Sequence, residues 1–254
     1  MQTEARQVPL YKTMSKPTSF TKRLDLLVTH FDGYSAADVV KSVERLKTAG
    51  VVSEETLMEL LMQPTVPVSL RLDACWLLPR IGLEGAECTL ITLLSDEEPR
   101  VRAEAAMSLG LLSNDTVVDS LLSRLKTDPE LQVRLAVVHS LGTLSHTKSA
   151  HCLQALISNP EEDATVRADA TEALAHVDAD GVIDALLSAL QDPSPTVRFS
   201  AAYALGEQGD PVALPALRVI ADTDVASTEF GDVAARAAEA IEDINNRQLL
   251  DDVD

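Results

Sequence analysis

The residue types that most often carry catalytic or metal chemistry are sparse in this chain. The 254 residues include five histidines and three cysteines, Cys75, Cys88 and Cys152. His151 directly precedes Cys152, and adjacent residues on a helix point about 100° apart, so the two do not form a facing base and nucleophile. The sequence holds no Cys-x-x-Cys pair, glycine-rich phosphate loop or Gly-x-Ser-x-Gly turn. These observations predict no catalytic residue, no metal and no resident cofactor.

Arginine, by contrast, recurs at regular intervals, each time after a valine. The four pairs are Val101-Arg102, Val133-Arg134, Val166-Arg167 and Val197-Arg198. Leu70-Arg71 is a weaker copy before them, and Val233-Ala234 is a weaker copy after them. The successive spacings are 31, 32, 33, 31 and 36 residues. A period of this length is typical of stacked supersecondary repeats.

Each copy carries the pattern of an amphipathic helix. Counting the first member of the pair as position 0, positions 4 and 8 are apolar, which predicts one buried stripe. The residues are Ala74 and Leu78, Ala105 and Leu109, Val137 and Leu141, Ala170 and Leu174, Ala201 and Leu205, and Ala237 and Ile241. Gly110, Gly142 and Gly206 stand where such a helix could loosen or end. The alternation that a strand requires is absent, so we predict an all-α fold.

A second helix per repeat is predicted before each pair. These first helices cover approximately 86–94, 116–125, 149–157, 181–190 and 212–220. The second helices are predicted to begin at the pairs themselves. Between the two helices lie turns rich in proline, in which Asp or Asn is expected to cap the second helix. The turns are Asp96 to Pro99, Asp128-Pro129, Asn159-Pro160 and Asp192-Pro193.

The repeats imply one solenoid, not several globular domains. Residues 1–17 are predicted to be a flexible N-terminal tail. Residues 18–245 are predicted to form a single solenoid, with an atypical N-terminal cap at 18–64 and repeats at 65–245. Residues 246–254 are predicted to form an acidic C-terminal tail. Hydrophobic residues make up 46% of the chain and aromatic residues only 3%, so the core is expected to consist of thin aliphatic layers.

The formal net charge of −19 limits the classes of partner. A field of this sign repels nucleic-acid phosphates, so we expect no nucleic-acid partner. Two interpretations of the acidity remain open, a solvated or salt-adapted surface and electrostatic steering towards a basic partner protein. No run of about 18 apolar residues predicts a membrane span. The few, irregular cysteines favour a reducing cytoplasm.

The repeat phrase resembles a known family. It reads D-P-x-x-x-V-R-x-x-A-A-x-x-L-G-x-x-G-D, is clearest from Asp192 to Asp210, and resembles the HEAT-like repeat named after phycobiliprotein (bilin) lyases over roughly residues 66–245. The resemblance implies a right-handed superhelix of about six antiparallel helix pairs, with the second helices on the concave side. It also implies a structural ladder between repeat arginines and turn acids. The ladder residues are Arg71, Arg102, Arg134, Arg167, Arg198, Asp128 and Asp192.

The helix angle then predicts a surface. If positions 0, 1, 4, 5 and 8 face inward, position 6 points almost directly outward, and positions 2, 3 and 10 flank it. Exposed aromatic and methionine side chains are enriched at protein-binding surfaces. The alternative, that Trp76 and Tyr203 pack against neighbouring helices, stays open. The candidate partner-binding residues are Trp76, Met107, His139, Glu172, Tyr203, Asp73, Arg80, Glu104, Asp169 and Glu207.

Two functional hypotheses follow. The first is a non-catalytic scaffold or adaptor that binds a partner protein along the second helices. The second, implied by the resemblance alone, is a bilin lyase or phycobilisome-associated factor that handles a transient bilin or a phycobiliprotein subunit. In that case Trp76 and Tyr203 would stack on the tetrapyrrole, and Arg80 or Arg236 would meet its propionates. The chain lacks the His-Glu dipeptide that HEAT-type deoxyhypusine hydroxylases repeat as iron ligands, which argues against that chemistry.

Overall fold

The computed structural model describes residues 36–50, 53–61, 63, 65–81, 85–112 and 115–251. The predicted tail at 1–17 and the first predicted cap helix lie outside these residues. The chain forms two compact units, residues 1–117 and 118–254. The single solenoid expected for residues 18–245 stays a prediction.

The first unit contains five helices and the start of a sixth among its described residues. They are α1 (Ala36–Thr48), α2 (Glu54–Leu61), α3 (Val68–Ile81), α4 (Ala86–Leu93), α5 (Pro99–Leu109) and α6 (Asp115–Thr127). The division between the units falls within α6. Of the second helices, α3 packs against α5, and α4 packs against both.

The second unit continues the helix pairs. Its further elements are α7 (Leu131–Leu144), α8 (Thr147–Ile157), α9 (Ala164–Ala173), α10 (Val182–Ala189), α11 (Pro195–Gln208), α12 (Leu214–Thr223), β1 (Ser227–Thr228), β2 (Gly231–Asp232) and α13 (Val233–Asp251). The second helices pack in series, α7 on α9, α9 on α11 and α11 on α13. The described residues therefore confirm the all-α class. The last helix continues to Asp251, so part of the predicted acidic tail is helical.

The predicted stripe forms the core of each repeat. Val166, Ala170 and Leu174, at positions 0, 4 and 8 of one copy, each have no exposed surface. Four of the six copies share this complete burial at all three positions. In the last copy the stripe shifts, because Ala240 and Ile244 are buried while Ile241 is only half-buried.

The second helices begin earlier than predicted. Five of them start two residues before the pair, at Val68, Pro99, Leu131, Ala164 and Pro195. Proline is favourable at the first helical position, where its missing N–H has no partner to lose. The predicted Asp and Asn caps hold only in part, because Asp163 caps α9 while Glu98, Glu130 and Ser194 are the N-cap residues of α5, α7 and α11. Asp128 and Asp192 instead accept a hydrogen bond from the backbone N–H two residues later, before the helix starts.

Gly142 and Gly206 were wrongly expected to loosen or end their helices. Both lie inside helices that continue beyond them. A Cβ built on Gly142 would lie 3.1 Å from Ala173, and one on Gly206 would lie 3.0 Å from the Cβ of Ala240. These glycines therefore allow the next second helix to approach. Gly110, in contrast, does follow the last residue of its helix.

Repeat arginines bridge consecutive turns. Arg167 donates to both oxygens of Asp192, at 2.9 and 3.0 Å, and to the carbonyl oxygen of Glu162 in its own turn. Arg198 pairs in the same way with Asp224, and Arg71 with Asp96.

The contacts of three other ladder residues include the following. Arg134 pairs with Glu162 at 2.8 Å, in a turn where Asn159 supplies no charge. Arg102 donates to the carbonyl oxygens of residues 96 and 97. Asp128 accepts from Arg124, four residues earlier, at 3.3 Å.

A short hairpin, which the sequence did not predict, occupies the longer last link. Strand β1 pairs antiparallel with β2. Phe230 in this hairpin is 64% exposed, and its ring centroid lies 6.2 Å from that of Phe199 on α11.

Candidate binding faces on the second helices

In the first unit, the candidate residues of α3 and α5 form a small cluster around an aromatic ring. The guanidinium carbon of Arg80 lies 4.3 Å from the ring centroid of Trp76, within cation–π range. Arg80 also donates to the carbonyl oxygen of Trp76 at 2.6 Å. Burial raises the pKa of Glu104, and the charge of Arg80 opposes that rise. The structure thus brings Trp76, Arg80 and Glu104 together.

The other two candidates of this unit differ in exposure. Met107 on α5 is 41% exposed. Asp73 is buried, and its two carboxylate oxygens accept from Arg45 of α1 at 2.6 and 2.7 Å. A bidentate pair of this kind, in which Asp73 is buried and the Arg45 side chain is 47% exposed, is a structural contact. No sequence pattern pointed to Arg45, because the two residues lie 28 positions apart.

In the second unit, the outer end of the face centres on Tyr203 of α11. The guanidinium carbon of Arg236, on α13, lies 5.6 Å from the centroid of the tyrosine ring. Arg236 forms ion pairs with Glu239 at 2.9 Å and with Asp243 at 3.1 Å. Burial, followed by the charges of Glu207 and Glu172, raises the pKa of Tyr203, while Arg236 lowers it. The half-buried ring therefore lies among charged groups.

The inner part of the same face is acidic. Asp169 and Glu172 lie three residues apart on α9, and Ser200 of α11 donates to Glu172 at 3.0 Å. Burial, and then the charge of Glu172, raises the pKa of Asp169 to about 6, while His139 of α7 lowers it. His139 and Glu172 are exposed and Asp169 is half-buried. The structure therefore brings these three candidates together.

Helix α11 is held in place by contacts at its C-terminal end. The amide nitrogen of Gln208 donates to the carbonyl oxygens of Leu174, Ala175 and Val177, at 2.8, 3.1 and 3.1 Å. These bonds satisfy carbonyl groups left free at the end of α9 and its following 3₁₀ turn. Glu207 faces Arg247 of α13 at 3.6 Å. The Gln208 bonds hold α11, which carries Tyr203, against the end of α9, which carries Glu172.

Among the described residues, no group of three or more His, Cys, Asp or Glu side chains could hold a metal ion. Within the same part of the chain, no helix is long and apolar enough to cross a bilayer. The cysteines are free, with Cys75 buried and Cys88 exposed, and burial raises the pKa of the Cys75 thiol.

Comparison with known proteins identifies the repeat. A family model described as HEAT repeats matches residues 54–142 and 149–229. The chain is 32% identical to the uncharacterized phycocyanin operon protein Z of Pseudanabaena tenuis, over 49% of this chain and 64% of that protein. It is 42% identical to a deoxyhypusine hydroxylase of Aspergillus niger, over 50% of this chain and 41% of that protein. The chain thus spans less than two thirds of either relative.

A solved structure shares the fold. The complex of CpcE and CpcF of phycocyanin lyase from Nostoc matches with a TM-score of 0.51 and 19% identity, over 61% of this chain and 98% of that chain. At this identity the likeness concerns the arrangement of helices alone.

Proposed function

The chain belongs to the HEAT-repeat family, and from this premise we propose that it is a non-catalytic scaffold or adaptor that binds a partner protein along its second-helix faces. One observation chiefly supports the proposal. In both units the residues that recur in every repeat form the core and the arginine pairs. The residue at position 6, in contrast, differs in chemistry from repeat to repeat and lies at the surface. Rigid faces of this kind suit the recognition of a helix or loop.

The charges of the faces favour a protein that offers basic groups. Glu172 and Glu239 are exposed at position 6, and Arg236 is already paired with carboxylates. Nucleic acid is a poor partner, because the chain has a formal net charge of −19 and repels phosphates. The cytoplasmic location suggested by the cysteines stays a prediction.

The test is affinity capture from the native lysate with Trp76→Ala and Tyr203→Ala, separately and combined. We expect a specific protein to be lost, with a fall in affinity of roughly 30-fold for an aromatic hot spot. Bound proteins are identified by mass spectrometry, and their affinity is then measured with purified components. Separate variants show which unit carries the contact.

Phe230→Ala provides the matched control, because Phe230 is exposed on the hairpin and not on a second-helix face. This variant should retain the partner. Thermal unfolding of every variant separates lost binding from lost structure. If the double variant retains all captured proteins and is less stable, the two aromatic residues serve packing, and the proposal fails.

A second candidate function is a bilin lyase, or a phycobilisome-associated chaperone-like factor for a tetrapyrrole or its acceptor protein. The similarity to phycocyanin operon protein Z favours it. The charges of the second unit oppose it, because bilin propionates are anionic and Arg236 is paired with Glu239 and Asp243. This face therefore does not fit the free pigment. A shift in visible absorption when free bilin is added, or recovery of phycobiliprotein subunits, would favour this candidate.

A further inference from the structure

The side of α13 that faces away from α11 is largely apolar and uncovered. On the near side, Ala240 of α13 packs against Gly206 of α11, where an added Cβ would lie 3.0 Å from the alanine Cβ. At 100° per residue, Leu249 points 180° away from Ala240, and Ala238 points 160° away from it. Ala238 is exposed, and Leu249 is 66% exposed. Helix α13 therefore has an unpartnered face opposite α11.

The same face is covered on each second helix that precedes α13 in this unit. Position 5, which Ala238 occupies in α13, is Val138 in α7, Thr171 in α9 and Ala202 in α11, and these three residues have no exposed surface. Each of those helices has the next second helix packed against it. A face that meets water at the end of such a stack usually carries polar groups. The stacking interface of the unit is thus open at α13, and position 5 still has the small apolar side chain that suits burial.

The residues of this face, which we call the end stripe, have a symmetric spacing. They lie within 100° of the helix surface, and their successive spacings are 4, 3, 1, 3 and 4 residues. The spacing is therefore the same when it is read in either direction along the helix. The residues of the end stripe are Ala234, Ala238, Ile241, Glu242, Asn245 and Leu249.

Such a stripe is complementary to a second copy of itself that runs antiparallel. If the two helices cross between Ile241 and Glu242, Ala234 of one copy lies opposite Leu249 of the other. Ala238 then lies opposite Asn245. A small residue opposite a larger one allows two helices to approach and their side chains to interdigitate. A two-fold axis through the crossing point makes each contact twice, as in an isologous dimer interface.

We propose that α13 packs antiparallel against α13 of a second copy of this chain, across the end stripe. The inference does not rest on the proposed function, because the end stripe contains none of the candidate partner-binding residues. The contact involves one helix from each copy, so it is small, and the association is expected to be reversible. The net charge of −19 on each copy opposes it at low salt.

The first test is sedimentation velocity of the full chain over a series of concentrations in 300 mM sodium chloride. We expect a monomer–dimer equilibrium with a dissociation constant on the order of 10 μM. Ala238→Glu places a charge in the end stripe and should weaken dimerisation by roughly 30-fold. A wild type that stays monomeric at about 200 μM overturns the inference.

Val219→Glu is the matched control. It adds the same charge at a position of α12 that is 57% exposed and lies outside the end stripe, so the dimer should persist. Thermal unfolding should give the same midpoint for both variants at monomeric concentrations, because each substitution is at an exposed position. A dimer that persists in Ala238→Glu shows that another surface associates, and this result also overturns the inference.

The second test measures the register by cross-linking. The exposed and half-buried cysteines are replaced in a Cys88→Ser, Cys152→Ser background, in which Cys75 stays buried. Ala238→Cys and Asn245→Cys are then prepared as separate proteins and oxidised alone and mixed. The mixture should form a disulfide-linked dimer, because facing cysteines meet the short distance that a disulfide requires. Each protein alone should form far less, and equal cross-linking in all three samples contradicts the antiparallel register.

A different occupant of the end stripe gives a different result. If the wild type is monomeric and Ala238→Glu loses a protein that the wild type captures from the native lysate, the stripe binds that protein. This outcome rejects the second copy. The proposed function is tested separately, because Trp76→Ala and Tyr203→Ala leave the end stripe unchanged.

Discussion

Arg167 shows how a single residue stabilises the boundary between repeats. Arg167 is 6% exposed, and its guanidinium donates to both oxygens of Asp192 and to the carbonyl oxygen of Glu162. The hydrogen bond that Arg167 donates to Asp192 raises the pKa of the arginine, although burial acts in the opposite direction. If one residue of such a pair is removed, the charge of the other residue is left without compensation.

We therefore expect Arg167→Ala to lower the free energy of unfolding by about 3–5 kcal/mol, because Asp192, with a side chain only 10% exposed, loses its cationic partner and keeps only the hydrogen bond from the Ser194 N–H. The measurement is urea-induced unfolding followed by circular dichroism. Lys148→Ala is the matched control, since its pair with Asp119 is solvent-exposed, and it should change stability by less than about 1 kcal/mol. Equal losses in both variants would show that burial of the pair is irrelevant.

Asp169 predicts a distinct dependence on pH. Its pKa in the fold is about 6, above the ordinary 3.8, because burial and Glu172 disfavour the charged form. Between these two pH values the folded state retains a proton that the unfolded state has released, so the contribution of Asp169 to stability falls as pH rises through the window. His139 opposes this effect, since it favours the carboxylate.

Asp169→Asn should consequently be more stable than the wild type at pH 7, by about 1 kcal/mol after allowance for solvent exposure. The gain should disappear below pH 4, where the carboxyl group is protonated in both states. Urea unfolding of the two proteins at pH 3.5 and pH 7 provides the comparison. A variant that is less stable at pH 7 would mean that His139 outweighs burial.

At the scale of the helices, the approach of α13 to α11 depends on Gly206. A Cβ at this position would lie 3.0 Å from the Cβ and 3.1 Å from the Cα of Ala240. One of these neighbours is backbone, so the contact cannot be relieved by a side-chain rotation. The two helices must separate instead, and α13 carries Arg236 of the outer face.

Gly206→Ala is expected to lower the free energy of unfolding by about 1–2 kcal/mol, because overpacking exceeds the gain in helix propensity. In Gly206→Ala combined with Ala240→Gly, the added methyl group finds space, and part of the loss should be recovered. A double-mutant cycle by urea unfolding measures the coupling. Additive effects of the two substitutions would contradict a direct contact.

The helices themselves were largely predictable, because the apolar stripe of each copy is local in sequence. Pro99 and Pro195 could have indicated earlier helix starts, since proline suits the first helical position. The role of Gly142 and Gly206 could not be predicted, because a helix ending and a close approach require the same residue. The pairing of Arg134 with Glu162 could not be predicted either, because it depends on the longer turn that follows Asn159.

That the candidate residues bind a partner stays a prediction, and Asp73, expected on this surface, is buried in a pair with Arg45. The helix angle alone brought Trp76, Tyr203 and Asp169 onto the outer side of their helices. The partner of Asp73, in contrast, comes from another helix, and Asp243 reaches Arg236 from two turns away. The pair of Asp73 with Arg45 depends on how α3 and α1 pack, which the repeat spacing does not specify.

For the whole molecule, the formal net charge of −19 is a source of self-repulsion that added salt screens. The buried arginine pairs are screened much less. We expect the free energy of unfolding to rise by on the order of 1 kcal/mol between 10 mM and 300 mM sodium chloride. Urea unfolding at a series of chloride concentrations tests this, and chloride avoids the general stabilisation that sulfate causes. A decrease with salt would mean that surface ion pairs outweigh the repulsion.

The way the arginines bridge consecutive turns restricts how such a gene can change in length. A deletion of residues 167–197 would join Val166 to Arg198, which still finds Asp224, and would remove Arg167 and Asp192 together. A deletion of half that length would leave one buried charge without its ion-pair partner. Recombination that adds or removes whole repeats therefore keeps each remaining buried arginine with an acidic partner, and such products are expected to fold.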